Sequence, residues 1–160
     1  MNLPIPNHLR DILIPIGENN STFEVTGFIR CRCGHNCFRV ESACDRHIVK
    51  LYCEECGTEH MLFHAGKHGW DGFVCGGNTF HPNTPLPPIQ ENCENCNSKL
   101  YRVQVWISSQ GPEDFLEECV AHDDSFSAGD WVDGFEWITV NLTCANCGTT
   151  QRDWLDLETM

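Results

Sequence analysis

Cys144-Ala-Asn-Cys147-Gly148-Thr149 reproduces, ninety-one residues later, the run Cys53-Glu-Glu-Cys56-Gly57-Thr58. Each copy is preceded at the same distance by an apolar pair, Val49-x-Leu51 in the first and Val140-x-Leu142 in the second. Upstream of each lies a further cysteine pair, Cys31-x-Cys33-Gly34 and Cys93-x-x-Cys96. The chain therefore contains an internal duplication in which each half brings four thiols. Four thiolates presented on two tight turns form the donor set of a tetrahedral Zn2+ site. A chain built this way is constrained to two small β units, each stapled by a metal where its strands meet the cysteine turns.

The repeat selects the ligands. Laying Cys96 over Cys33 brings Tyr101-Arg102-Val103 onto Phe38-Arg39-Val40. In that register Cys37 falls on Leu100, an apolar strand position, and Cys93 falls on Arg30, one residue before Cys31. The first site is accordingly assigned to Cys31, Cys33, Cys53 and Cys56, with Cys37 the rival of Cys31. The second is assigned to Cys93, Cys96, Cys144 and Cys147. Both are read as structural Zn2+ sites, although four thiolates also accommodate iron.

Two residues between thiolates let a turn aim both sulfurs at one ion, and glycine after the second cysteine permits the left-handed backbone found there. Such turns are knuckles. Paired knuckles, each joined to a strand, resemble the zinc ribbon (zinc β-ribbon) family over residues 28–63 and about 91–157. The resemblance implies one structural zinc at the end of a small antiparallel sheet in each half. The chain departs from the family pattern at Cys31-x-Cys33, which is one residue short, and in a long insertion within the second copy. Zinc ribbons serve in transcription, translation, replication and protein docking, so the resemblance narrows fold more than activity.

Hydrophobic periodicity and turn residues predict a mostly β chain. Residues 1–27 form an N-terminal lead-in, with Asn7 capping a short helix over His8–Ile14 that Pro15 ends. The first ribbon spans 28–64: a strand over Thr22–Arg30 enters it, Phe38–Ser42 and Ile48–Tyr52 form its hairpin, and Glu59–His64 leaves it. Residues 65–90 are a Gly- and Pro-rich connector ending in the linker Pro82–Pro88. The second ribbon spans 91–160, with strands over Leu100–Ile107, Phe135–Thr143 and Thr149–Leu157. Its acidic insertion, 108–134, carries a short helix over Glu113–Val120. Trp106, Trp131, Phe135, Trp137 and Trp154 are expected to build the core of this half.

Charge is the second constraint. The chain has 160 residues and a formal net charge of −13. Two Zn(Cys)4 centres, each adding −2, bring this to about −17. From Val103 to Gln151 there is no Lys or Arg, while Glu113, Asp114, Glu117, Glu118, Asp123, Asp124, Asp130, Asp133 and Glu136 all fall there. A surface of that kind repels phosphate, which makes nucleic acid an unlikely partner of the second half. The cations Arg30, Arg32, Arg39, Arg46 and Lys50 around the first knuckle leave open an accessory role on nucleic acid for the first half.

Twelve cysteines also suit a disulfide framework, but Met1-Asn-Leu-Pro-Ile-Pro lacks a basic stretch followed by an apolar one, and paired knuckles suit a reducing compartment. No apolar run reaches the length of a membrane span. The expectation is a cytoplasmic protein. Sites closed by four thiolates have no open position for catalysis, and no phosphate loop, nucleophile elbow or His-Glu-x-x-His motif occurs, so no enzymatic activity is expected. His60, His64, His68, Cys75 and His81 are ligand types close in sequence, read as loop and surface residues. Cys37, Cys44, Cys75 and Cys119 are read as small hydrophobes or free thiols. The sequence thus points to a non-enzymatic zinc protein whose acidic insertion docks on a basic protein partner, as a toxin-neutralising or regulatory module. The alternative is a nucleic-acid-associated accessory factor of transcription or translation using the first ribbon.

Overall fold

The computed structural model describes residues 2–76 and 87–160. Strands follow the alternation of apolar residues. Phe38, Val40 and Ser42 of β3 (Phe38–Ala43) and Val49, Leu51 and Cys53 of β4 (Ile48–Cys53) turn to one buried face. So do Tyr101, Val103, Val105 and Ile107 of β7 (Tyr101–Ser108) and Ile138, Val140, Leu142 and Cys144 of β8 (Trp137–Cys144). The period of two in the side chains places each set on one side of the sheet.

Each half is a three-stranded antiparallel unit. β3, β4 and β5 (Glu59–His64) form the first; β7, β8 and β9 (Thr150–Glu158) form the second. The duplication extends to register. Phe38 pairs with Cys53 and Tyr101 with Cys144, while Tyr52 pairs with Glu59 and Thr143 with Thr150. Even the bulge recurs, between Val49 and Lys50 in one unit and between Val140 and Leu142 in the other.

The units meet at a single antiparallel pair, Phe38 with Tyr101. These are equivalent residues of the repeat, so the pair marks a local two-fold axis between the halves. β2 (Glu24–Ile29) runs along the rest of β7, from Glu24 opposite Ser108 to Phe28 opposite Gln104, and β1 (Leu13–Pro15) lies beside β2. β6 (Ile89–Gln90) adds to β3. The nine strands among the described residues form one sheet, and a single apolar core takes residues from both halves. The lead-in is therefore more than a tail, because β2 crosses the expected boundary at residue 28 and helps to join the units.

Two local expectations change. The helix expected over His8–Ile14 is a 3-10 turn at Asn7–Leu9, followed directly by β1. Leu9, Ile12 and Leu13 are all buried, and the extended backbone lets β1 pair with β2. Gly27 permits that approach, since a Cβ there would meet the Ile14 carbonyl oxygen at 2.6 Å. The Asn7 side chain caps nothing; its backbone and side-chain amides donate to Asp133 across the molecule. The expected helix over Glu113–Val120 is present as a short α-helix α1 (Pro112–Phe115) that widens into a π-helical turn over Leu116–Val120.

The insertion owns a small core. Phe115, Cys119, Trp131 and Val132 are buried together, with Trp70, Phe73 and Val74 of the connector packed against them. Thr159 fastens this layer to the sheet: its hydroxyl donates to the Phe135 carbonyl and accepts from the Trp70 amide. Trp131, Phe135 and Trp154 are buried as expected, whereas Trp106 and Trp137 sit half-buried on the opposite side of the sheet. Of the expected linker Pro82–Pro88, Pro82–Leu86 lie outside the described residues.

Candidate metal centres and the acidic face

The sequence-selected cysteines come together as two tetrads. In each, the four Sγ atoms all lie within 4.8 Å of one another. The closest approaches are 3.5 Å, for Cys31 to Cys56 and Cys33 to Cys53 in the first and for Cys93 to Cys147 and Cys96 to Cys144 in the second. A disulfide needs about 2.05 Å, so these are separate sulfurs. A tetrahedral ion at about 2.3 Å from each sulfur sets neighbouring sulfurs about 3.8 Å apart. The spacing fits that requirement, and the two tetrads are sites able to hold two metal ions.

Backbone hydrogen bonds shape the knuckles. Three of them share one form: the first cysteine's amide donates five residues ahead, and the residue after the second cysteine donates back to the first cysteine's carbonyl. This joins Cys53 with Thr58 and Gly57, Cys144 with Thr149 and Gly148, and Cys93 with Ser98 and Asn97. Gly57, Gly148 and Asn97 take positive φ there, Asn97 replacing the glycine. In the Cys31 turn every span is one residue shorter, with the Cys31 amide on His35 and Gly34 on the Cys31 carbonyl. The missing residue is absorbed by a tighter turn, and Cys31 still reaches the tetrad. Cys37 is not in the cluster; its sulfur faces the Asn36 side chain at 3.5 Å.

The repeated Gly-Thr has a chemical reason. The Thr58 and Thr149 hydroxyls lie 3.1 and 3.2 Å from the sulfurs of Cys56 and Cys147. A metal-bound thiolate carries no proton, so the hydroxyl is then the donor. Contact with the Thr58 hydroxyl and amide holds Cys56 down to about 6, and the Asn95 side chain with Thr149 holds Cys147 down to about 5. The first cysteines go the other way. Burial pushes Cys31 up to about 12, and against the pull of the Cys96 amide, burial and neighbouring sulfurs push Cys93 up to about 11. In both tetrads the thiol beside the repeated threonine is held down, so the duplication places the same thiolate-stabilising contact in each half. The sequence reading missed one neighbour: His60 Nε2 lies 3.3 Å from Cys31 Sγ. The equivalent position in the second unit is Gln151, so the repeat carries no signal for it.

The other ligand types do not gather. Among the described residues only the two tetrads form metal-type clusters. His68 stacks on His8 with ring centroids 3.6 Å apart, and His81 lies outside the described residues. Cys119 is buried in the insertion's core, and Cys75 is exposed.

The nine carboxylates between Val103 and Gln151 divide into two sets. Asp123, Asp130, Asp133 and Glu136 accept hydrogen bonds from Ser125, Ser127, Asn7 and Ser108. Glu113, Asp114, Glu117, Glu118 and Asp124 are exposed and have neither a hydrogen bond nor an ion pair with the described residues. Four of these share the helical segment with Leu116, itself 41 % exposed, and Phe23, 58 % exposed, lies against Gly111 at its start. Like charges four apart, Glu113 with Glu117 and Asp114 with Glu118, repel along this helix.

The cations around the first knuckle are mostly engaged. Arg32 pairs with Asp11 at 3.0 Å and Lys50 with Glu59 at 3.1 Å. Arg39 lies over the Tyr52 ring, and Arg46 lies 4.6 Å over Trp154 while donating to its carbonyl. Arg30 alone of the five has no such partner among the described residues. No helix among them is long and apolar enough to cross a membrane. Comparison of the chain with protein-family models, with curated proteins and with solved structures finds no match.

Proposed function

We propose that the chain is a non-enzymatic zinc protein of zinc-ribbon type, in which two Zn2+ ions staple a rigid sheet that presents an acidic docking face to a basic protein partner. Zinc is the ion this donor set favours, and coordination closed by four thiolates suits a structural role rather than catalysis. The observation that carries the docking function is the helical segment 112–120. It carries four exposed carboxylates and the exposed Leu116, these acids have no ion pair with a described residue, and a separate core packs beneath the segment. Unscreened like charge gives long-range steering toward a basic partner, and an exposed apolar residue on the same segment offers it a contact to bury. The nucleic-acid alternative loses ground because four of the five cations it relied on are spent inside the chain.

The test is affinity capture with tagged, zinc-loaded protein at low and physiological salt, with nuclease treatment in parallel, repeated with the triple variant Glu113→Lys, Glu117→Lys, Glu118→Lys. The expected result is a basic protein that resists nuclease, leaves as salt rises and is lost to the variant, while zinc content stays at two per chain. A partner retained by the variant refutes docking through this helix. Recovery of nucleic acid, or of proteins released by nuclease, refutes the protein-partner reading.

A further inference from the structure

On the outer side of the sheet, β1, β2 and the start of β7 enclose a pocket of about 330 Å³, lined by Ile14, Ile16, Phe28 and Ile29 with Arg30, Arg102 and Asn36 at its rim. We propose that this pocket binds a small organic anion: an apolar alkyl or aryl body carrying a carboxylate, sulfonate or phosphate head. The site is separate from the acidic helix and from the sulfur tetrads.

Three observations support it. The first is composition. Ligand pockets of roughly 300 Å³ and upward are mostly apolar, and this one matches in size and in its apolar lining. Phe28 is 40 % exposed although it stands mid-strand, so an aromatic face is left uncovered there.

The second is charge. In a chain of formal charge −13, acids outnumber cations by more than two to one, yet neither the Arg30 nor the Arg102 side chain has an ion pair or hydrogen bond with a described residue. The β2–β7 pairing ends at Phe28–Gln104, and just beyond that end both Arg30 and Arg102 line this pocket. Like charges gathered at one site repel. An anion between them removes that repulsion, and two guanidinium forks suit a planar oxyanion head.

The third is the rim. Asn36 follows the tight Cys31 turn, and its exposed side chain adds a neutral polar group beside the arginines. The head group is therefore placed at the knuckle end of the pocket and the body against Ile14, Ile16 and Phe28. A counter-charge role toward the first metal centre is the competing explanation of Arg30. It requires neither Phe28 nor the apolar floor, and it predicts metal loss when the arginine is removed.

The probe is 1-anilinonaphthalene-8-sulfonate, titrated by fluorescence into the zinc-loaded full chain. Competitors are octanoate, octyl phosphate, octanol and a random-sequence single-stranded oligonucleotide. The expected result is one saturable site from which octanoate or octyl phosphate displaces the dye at least about tenfold better than octanol. Whichever acid competes better identifies the head group. Arg102→Gln and Arg30→Gln should each weaken dye binding about tenfold with zinc content and near-UV circular dichroism unchanged, and Phe28→Ser should weaken the dye and both acids alike. Arg102→Lys, which keeps the charge and loses the fork, provides a second readout if the Gln variant folds poorly, and should fall between wild type and Gln. Octanol competing as well as the acids, dye binding unaffected by both Gln variants, zinc loss in Arg30→Gln without a change in dye affinity, or displacement by the oligonucleotide at lower concentration than by the acids would each overturn the proposal.

Discussion

Tyr101 stands on the local two-fold axis, opposite Phe38, and is 1 % exposed. Its hydroxyl has no hydrogen-bond partner among the described residues, and burial, with Cys93, Glu91 and the other sulfurs nearby, pushes its ionisation well above the usual tyrosine range. A buried hydroxyl without a partner costs about 1–3 kcal/mol. The other half of the molecule supplies the control, because the equivalent position is already phenylalanine and is fully buried. Tyr101→Phe keeps the ring, removes the penalty and leaves a gap of one oxygen. The expected gain is about 1 kcal/mol, after part of the penalty is offset by that gap.

The assay is urea unfolding at a fixed, buffered concentration of free zinc, because metal binding is linked to folding and an unbuffered titration would mix the two equilibria. With a slope of roughly 2 kcal/mol per M, the midpoint should rise by about 0.5 M with no change in slope. Metal affinity, read by competition with a chelator, should be unchanged. A fall in the midpoint of similar size together with weaker metal binding would refute the reasoning, since it would mean that the hydroxyl donates to a sulfur of the loaded Cys93 tetrad.

Two further expectations concern the first tetrad and the stacked pair His8 and His68. Cys31→Ser should reduce bound zinc from two to one per chain by mass spectrometry under native conditions, while Cys37→Ser should leave it at two; the opposite result would move the fourth ligand to Cys37 and the tight turn would have to open. Acid should destabilise the protein through the stacked histidines. Burial first, then the neighbouring His8, holds His68 down to about 3 against 6.5 in the unfolded chain. Between those values the unfolded state binds the extra proton, so stability is full above pH 6.5 and falls as pH drops, by up to about 1.4 kcal/mol per pH unit for this group. His68→Phe should make the curve shallower between pH 6.5 and 5.5. It also removes the acceptor of the His64 amide, but that cost is the same at every pH and leaves the slope as the readout.

The sulfur tetrads were legible because spacing is the chemistry: two cysteines on a four-residue turn can aim only at a common point, and the repeat supplied an independent register. β3, β4, β7 and β8 were legible for a similar reason, each having a clean period of two. What local pattern does not carry is pairing between distant segments. Nothing in Leu13–Pro15 announces a strand, since it becomes one only when Gly27 lets it lie against β2. The joining of the halves at Phe38 and Tyr101 depends on tertiary contact alone. The nine acids are equal candidates by residue type alone, and only folded hydrogen bonds separate those used as caps and ties from those left free.

The two-fold axis also sharpens where function is to be sought. Positions that must match for the metal and the sheet do match: the cysteines, the Gly-Thr that follows them, the strand register and the bulge. Departures from symmetry are therefore not required by the staple. The largest is the connection between the first two strands of each unit. In the first it is a tight turn through Cys44, Asp45 and Arg46, three successive residues at positive φ, held by Arg46 on Trp154 of the other unit. In the second it is the acidic insertion with its own core. The tight turn shows that the hairpin closes without an insertion, so those extra residues add a surface rather than complete the fold. That surface is the face proposed above for a partner, while the tight turn makes a contact between the halves through Arg46 on Trp154.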